Sequence, residues 1–158
     1  MKIAIGSDKS GFSLKEAIKA HLLENGYEVD DLGTTDLEAV KPYFVTAPIV
    51  AEQVSKGAYE KAILICGTGA GMAIVANKYP GVYAMYCGDL YDARMCRAIN
   101  DANIMTMGGW KIAPELGCEM ADTFLKTNFG DGLEDWRVTF LTGGKEKVVA
   151  MEKENFKL

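Results

Sequence analysis

Histidine is almost absent from this chain, since His21 is the only one in 158 residues. Structural zinc sites and Ser-His or Cys-His catalytic pairs depend on imidazoles, so most sites of these kinds are excluded. The four cysteines include no C-x-x-C pair, and we predict that they are free thiols and bind no metal. They are Cys66, Cys87, Cys96 and Cys118. Any proton transfer must therefore use thiols, carboxylates or lysines.

Long apolar runs and an excess of positive charge are also lacking. No run approaches the roughly 18 residues of a transmembrane helix, and the opening MKIAIGSD is too short and too polar for a signal peptide. Lysine and arginine total 17 against 22 acidic residues, a net charge of −5. That is the wrong sign for a general binder of nucleic acids or anionic membranes. We expect a cytoplasmic protein that binds neither.

The chain does contain a regular alternation of strand and helix patterns. It predicts one α/β domain over residues 1–130, with an open, doubly wound, Rossmann-like sheet of mainly five parallel strands and helices on both faces. Pro48 is predicted to lie at the entry to the second helix. The predicted strands are 2–7, 27–33, 61–67, 81–87 and 102–107, and the predicted helices are 13–25, 46–56, 70–78, 90–99 and 114–126.

Residues 131–158 have a different pattern. A helical stretch runs from about 133 to 141, a Gly143–Gly144 break follows, and the end is charged and amphipathic. Because both parts are too short to fold alone, we predict a C-terminal helical tail that packs on the domain or on a neighbouring subunit.

Parallel sheets bind ligands at the carboxyl ends of their strands, near the point where the strand order reverses. This rule selects Asp8, residues 66–72, residues 87–89 and residues 108–110. Among them, Cys66-Gly67-Thr68-Gly69-Ala70-Gly71-Met72 joins the strongest predicted strand to a helix. Its glycines let backbone N–H groups approach an anion, and the helix start favours negative charge, including a Cys66 thiolate. Such a thiolate can remove a proton next to a carbonyl while the amides hold the enediolate.

Simpler interpretations of these residues stay open at this point. The loop is a possible nucleotide phosphate site, although it has neither the G-K-[ST] of a P-loop nor the G-x-G-x-x-G spacing. Cys66 is equally interpretable as an inert core residue. Asp8 fits a helix cap as well as a substrate contact, and Asn100-Asp101 fits an ordinary turn.

Several segments in this order resemble the family of type B ribose-5-phosphate isomerases and galactose-6-phosphate isomerases. The segments are KIAIGSD, ILICGTGAGM with Ala76-Asn77-Lys78, Asn100-Asp101-Ala102-Asn103, Gly108-Gly109 and Arg137-Val138. The resemblance implies a metal-free and cofactor-free aldose–ketose isomerase that acts on a sugar or sugar phosphate through a cis-enediolate. It also implies a homodimer or homotetramer whose active sites are completed across a subunit interface.

The resemblance also implies roles for individual residues. Cys66 would be the base, Asn100 would help to hold the oxyanion, and Asp8 would contact sugar hydroxyls. Thr68 belongs to the loop that forms the anion hole. The substrate-binding positions would be Lys9, Tyr43, Gly67, Gly69, Ala70, Gly71, Trp110 and Arg137.

Several positions that would contact the substrate depart from the family pattern. Lys9-Ser10 stands where the family has His-Ala, Ile99 replaces the ring-opening histidine, and Trp110 replaces an arginine. Of the basic residues that hold the phosphate, only Arg137 clearly remains, with Lys9 and Lys111 as possible substitutes.

These departures predict weaker binding of a dianionic phosphate, because a bidentate arginine is not matched by an apolar side chain. They favour an open-chain substrate, and the two tryptophans fit a neutral or differently shaped sugar unless they simply pack. A pentose phosphate is the family's substrate type, and a tetrose phosphate or an unphosphorylated sugar competes with it. The alternative function is a non-catalytic sugar-binding or partner subunit of a hetero-oligomeric isomerase.

Overall fold

Five parallel strands form a single sheet in the order β2–β1–β3–β5–β4. The computed structural model describes residues 1–158, and it confirms the doubly wound α/β fold. The strands are β1 (Lys2–Ser7), β2 (Glu28–Asp31), β3 (Lys61–Cys66), β4 (Ala84–Tyr86) and β5 (Ile104–Gly108). The helices are α1 (Phe12–Glu24), α2 (Tyr43–Ser55), α3 (Ala70–Ala76), α4 (Leu90–Ala98), α5 (Pro114–Lys126) and α6 (Asp135–Phe156).

The central strand β3 connects the two layers of the core. All six of its residues are buried, because it pairs with β1 on one side and β5 on the other. Ile63 and Ile65 pack into the cluster that includes residues of α1 and α5. Leu64 and Cys66 pack into the opposite cluster, with residues of α2 and α3. Cys66 therefore faces the α2–α3 side of the sheet.

The strand order reverses between β1 and β3. The chain leaves β1 toward β2 on one side, and it leaves β3 toward β5 and β4 on the other. Connections that diverge in this way leave a crevice at the carboxyl ends of the two strands. The residues that follow these strands are Asp8 and Gly67.

The domain differs from the sequence prediction mainly in the bounds of its elements. Strands β2 and β4 are shorter than predicted, and α2 starts at Tyr43, so Pro48 lies inside the helix instead of at its entry. The helix begins earlier because Pro42 has an extended backbone and forms its N-cap. Pro48 removes the one hydrogen bond that its N–H would make to the Phe44 carbonyl.

The predicted break in the C-terminal tail is wrong. Helix α6 continues through Gly143 and Gly144 for 22 residues. A glycine inside a helix costs only about 1 kcal/mol relative to alanine, which weakens the helix without ending it. No residue of α6 is buried, and Trp136 and Phe140 are 69% and 74% exposed. None of the helices combines the length and the apolar character needed to cross a membrane.

Candidate active site

The carboxyl edge of the sheet brings together three of the predicted segments. The Asp8 N–H donates to the Ile65 carbonyl at 3.3 Å, and the Gly109 N–H donates to the Cys66 carbonyl at 2.7 Å. These bonds hold the ends of β1 and β5 against the end of β3. The sheet itself therefore places Asp8, Cys66 and Trp110 at one edge.

Cys66 lies beneath the glycine loop and is 4% exposed. Its Sγ accepts a hydrogen bond from the Gly69 N–H at 3.1 Å. Gly69 has a positive φ of 83°, and a Cβ at this position would lie 2.8 Å from the Met107 carbonyl carbon. Only glycine fits this conformation and this space, so the approach of the amide to the sulfur depends on Gly69.

The loop also leaves backbone amides unused. The N–H groups of Thr68, Gly71 and Met72 have no hydrogen-bond acceptor within the chain. The Thr106 hydroxyl donates to the Gly69 carbonyl at 2.9 Å and holds the loop in place. Free amides held in this way can bind an oxygen that becomes negative during a reaction.

Two aromatic side chains border the loop. The Trp110 ring lies over Gly67, where an added Cβ would meet it at 2.6 Å, and the Tyr43 ring lies 3.0 Å from a Cβ added at Gly71. Trp110 is nevertheless 73% exposed and Tyr43 is 39% exposed. Trp110 thus covers the loop from the solvent side and is not packed in the core, and Trp136 is also exposed.

Asp8 and Lys9 lie at the same edge. One Asp8 carboxylate oxygen accepts from the Gly11 N–H at 3.0 Å and closes the turn before α1. It does not cap the helix, because Gly11 is the N-cap of α1 and no side chain caps it. The other oxygen has no hydrogen-bond partner in the chain and is free for a ligand. Lys9 is exposed and forms no ion pair. No cluster of three or more His, Cys, Asp or Glu side chains is arranged to hold a metal ion.

Sequence reasoning missed Tyr86, the last residue of β4. Its ring lies 2.7 Å from a Cβ added at Gly69, and its hydroxyl accepts a 2.7 Å hydrogen bond from the Lys111 ammonium. The signal that could have found it is its position at the carboxyl end of a predicted strand.

Asn100 and Arg137 do not join Cys66 in the single chain. Asn100 lies between α4 and β5, at the amino edge of the sheet, and Arg137 is exposed near the start of α6. Asn100 and Ile99 border a cavity of about 340 Å³ beneath α6. Its other lining residues are Tyr83, Leu141, Gly144, Lys145 and Val148.

Polar contacts attach α6 to the domain. Lys145 pairs with Asp101, a residue with a positive φ of 51°. The Glu152 carboxylate accepts from the Gly81 N–H at 2.7 Å and from the Tyr83 hydroxyl at 3.0 Å. Burial and the hydrogen bond to Glu152 raise the pKa of Tyr83 to about 12. Helix α6 is thus attached mainly through polar groups.

Comparison with known proteins identifies the family. Its sequence profile, described as Ribose/Galactose Isomerase, matches residues 3–141. The chain belongs to the ribose/galactose isomerase family. It is 60% identical over 157 residues, 99% of each chain, to the 4-deoxy-4-sulfo-D-erythrose isomerase of Clostridium sp. (strain MSTE9).

Solved structures of this family have the same fold. Ribose-5-phosphate isomerase B of Clostridium thermocellum superposes with a TM-score of 0.87 at 41% identity, covering 98% of this chain and 99% of that one. The enzyme of Mycoplasma genitalium, solved with bound ribulose-5-phosphate, has a TM-score of 0.86 at 32% identity and 97% coverage of each chain. The protein is therefore an aldose–ketose isomerase, which argues against a non-catalytic subunit.

Proposed function

We propose that this isomerase interconverts 4-deoxy-4-sulfo-D-erythrose and the corresponding ketose, with Cys66 as the base. The observation that carries this substrate is the 60% identity, over 99% of both chains, to the enzyme named for that sugar. The site residues support it through the absence of a ring-opening group, through their charge, and through the environment of the sulfur.

Ile99 fits a substrate that does not form a ring. A tetrose closes a five-membered ring through its C4 hydroxyl, and a sulfonate carbon in that position carries no such hydroxyl. A 4-sulfotetrose therefore stays open-chain or hydrated. The residue that resembles the family's ring-opening histidine is an isoleucine here, and this substrate has no ring to open.

The reduced set of basic residues fits a sulfonate. A phosphate monoester carries close to two negative charges at neutral pH, because its second pKa is near 6. A sulfonate carries one, and it requires fewer cations. Arg137 is the one arginine clearly kept at the family's phosphate-binding positions, and Trp110 stands where the family has another.

The proposed chemistry is a proton transfer between neighbouring carbons. The Cys66 thiolate removes the proton from the carbon next to the carbonyl, which gives a cis-enediolate. The N–H groups of the loop hold its negative oxygen. The proton of the remaining enediolate hydroxyl passes to the neighbouring oxygen, and the thiol returns its proton to the adjacent carbon, which regenerates the thiolate. The Gly69 N–H, 3.1 Å from Sγ, stabilises the thiolate before the proton is removed and after it is returned. The free Asp8 oxygen accepts a hydrogen bond from a sugar hydroxyl.

The locations of Asn100 and Arg137 support a site shared by two subunits. β5 has five residues and separates the two edges of the sheet by about 16 Å. A tetrose at Cys66 cannot span that distance to Asn100 of the same chain. In our proposal a homodimer or homotetramer brings Asn100 and Arg137 of one subunit to Cys66 of another.

Mixing two inactive variants tests the shared site. Cys66→Ala and Asn100→Ala should each lose most activity, and refolding them together at equal amounts should restore roughly a quarter of the wild-type sites. Half of the random dimers contain both variants, and each has one intact site. Recovery no greater than the sum of the two variants would place Asn100 and Cys66 in one chain's site or in no common site.

A substrate panel tests the proposed sugar. We expect kcat/KM for the sulfonated tetrulose, followed by NMR, to exceed that for ribose 5-phosphate by at least about 100-fold, corresponding to about 2.7 kcal/mol of transition-state binding. Erythrulose 4-phosphate should fall between them. Ribose 5-phosphate as the best substrate would contradict the proposal.

A further inference from the structure

The Tyr86 and Lys111 side chains lie one loop residue away from the reacting sulfur. The Tyr86 ring packs against Gly69, and the Gly69 N–H donates to Cys66 Sγ. Gly69 therefore contacts the Cys66 sulfur through its amide N–H, and it contacts the Tyr86 ring through its Cα. The pair therefore borders the loop that carries the reacting sulfur.

The Lys111 ammonium is held in place without being neutralised. It donates to the Tyr86 hydroxyl at 2.7 Å and lies 5.1 Å from the centre of the Tyr86 ring. No carboxylate lies within ion-pair distance of it. Two acidic residues follow β4: Asp92 accepts from the Gly88 N–H and Asp89 accepts from the Asp92 N–H, both at 2.9 Å. The Asp92 carboxylate is a neighbour of the pair, since a Cβ added at Gly88 would lie 3.6 Å from its Oδ2 and 3.2 Å from the Tyr86 hydroxyl.

The Tyr86 hydroxyl keeps its own proton available. It accepts from Lys111, and it donates to no acceptor in the chain. A phenol that accepts from an ammonium is also a stronger donor, because the bonds polarise one another. The pair therefore offers an ammonium and a hydroxyl donor side by side, together with one positive charge.

We infer that Lys111 and Tyr86 form the subsite that binds the terminal sulfonate of the substrate. This inference rests on the proposed function and assigns its anion to particular side chains. Sulfonate oxygens only accept hydrogen bonds and carry a single negative charge, which matches one ammonium and one hydroxyl. Lys9, the other unpaired lysine at this edge, is exposed and forms no side-chain hydrogen bond that would orient it.

Kinetics with two substrates that differ only at the terminal group test this subsite. Lys111→Met should raise KM for the sulfonated tetrulose by about 10- to 100-fold, the range expected for loss of a charge-assisted hydrogen bond. Tyr86→Phe should raise it by about 5-fold. For neutral erythrulose, which has a hydroxyl in place of the sulfonate, both variants should keep the wild-type KM. Calorimetric Kd values for 2,3-dihydroxypropane-1-sulfonate should show the same losses without turnover.

Matched controls separate the subsite from general charge effects. Lys78→Met removes an exposed ammonium after α3 and should leave KM unchanged. Erythrulose 4-phosphate should also lose affinity with Lys111→Met, because the same ammonium attracts its terminal anion.

Three results would overturn the subsite, two of them measured with the sulfonated ligands. One is an unchanged sulfonate KM and Kd in a folded Lys111→Met variant, and the other is a loss that appears in Lys9→Met instead. The same loss for neutral erythrulose would also contradict sulfonate binding. A wild-type enzyme inactive on the sulfonated tetrulose would overturn the proposed function and the identity of the anion, whereas an active one with an indifferent Lys111 would overturn the subsite alone.

Discussion

The glycine loop and helix α6 illustrate two ways of positioning functional residues in one chain. The loop follows a strand whose six residues are all buried, and sheet pairing and core packing hold Cys66 in place. Helix α6 buries none of its 22 residues and depends on polar contacts such as Glu152 with Tyr83. The domain thus fixes the glycine loop through its own core, while α6 leaves its side chains largely exposed, Trp136 and Phe140 among them.

The largest stability effect should come from a buried ion pair in the domain. Lys15 is fully buried and its ammonium lies 2.5 Å from Asp31. Burial alone would raise the pKa of Asp31, but hydrogen bonds from Lys15 and Lys19 bring it below its ordinary 3.8. A lowered carboxyl pKa stabilises the fold above about pH 4, and this stabilisation is lost as the pH falls through the folded-state pKa.

We therefore expect Asp31→Asn to lower the free energy of unfolding by about 3 kcal/mol at pH 7, because the buried Lys15 ammonium then keeps only the more exposed Glu16 carboxylate as an ion-pair partner. The loss should shrink below pH 4. Urea unfolding at pH 7 and pH 3 measures both, with Glu24→Gln on the exposed end of α1 as the control. Equal stability of the two variants at pH 7 would mean that this pair does not stabilise the domain.

A pair of glycine substitutions compares the two regions directly. Gly69→Ala should cost about 2 kcal/mol, because its φ of 83° and the Met107 backbone leave no place for a Cβ. It should also lower kcat by at least about 10-fold through the displaced amide.

Gly143→Ala is the matched substitution in α6. An added Cβ there meets nothing within 4 Å, and it should stabilise α6 by up to about 1 kcal/mol. Thermal melts and kinetics of both variants measure these effects. A larger loss of stability or of kcat in Gly143→Ala than in Gly69→Ala would contradict this comparison.

Deleting α6 should separate folding from activity. A chain that ends at Glu134 keeps both core clusters, so we expect cooperative unfolding within about 2 kcal/mol of the full chain, because burial determines most of the stability. This also tests the predicted boundary near residue 130. Activity should fall by at least about 100-fold, because the deletion removes Arg137, which in our proposal completes the site of another subunit. A deleted chain that is unfolded, or one that is fully active, would contradict the independence of the two regions.

The smallest effect should come from the contact between Glu152 and Tyr83. Tyr83→Phe removes one hydrogen bond and should cost about 1 kcal/mol, seen as faster amide exchange in α6 and not in β3. The raised pKa, about 12, means that this contribution is complete below about pH 10 and is lost as the pH rises toward 12. Tyr91→Phe, at a 68% exposed ring, is the control, and equal exchange in both variants would exclude the contact as an anchor of α6.

Much of the domain could be predicted from the sequence because burial leaves a local pattern. The continuous apolar run of β3 and the Pro114 start of α5 were predicted closely, and the ends of parallel strands bring Asp8 and Cys66 to one edge. The continuity of α6 was not predicted, because the low helix propensity of Gly143 and Gly144 indicates the end of a helix. Two glycines weaken a helix of this length without ending it.

Contacts between distant residues were also beyond the sequence pattern. Lys111 and Tyr86 are 25 positions apart, and no periodicity connects them until β4 and β5 pair. The separation of Asn100 from Cys66 follows from topology, since Asn100 precedes β5 and Cys66 ends β3. The family resemblance gives both residues a role in one site and implies that the site is completed across a subunit interface, but it does not say which residues lie at opposite edges of the sheet.

Isomerisation in D2O tests the central role of the Cys66 sulfur most directly. The wild-type enzyme should place deuterium on C1 or C2 of the sulfonated tetrulose and its aldose. Cys66→Ala should lose turnover and deuterium incorporation together by at least about 1,000-fold, with melting temperature and substrate Kd nearly unchanged. A folded Cys66→Ala variant that still exchanges these protons within about 10-fold of the wild-type rate would show that another group is the base.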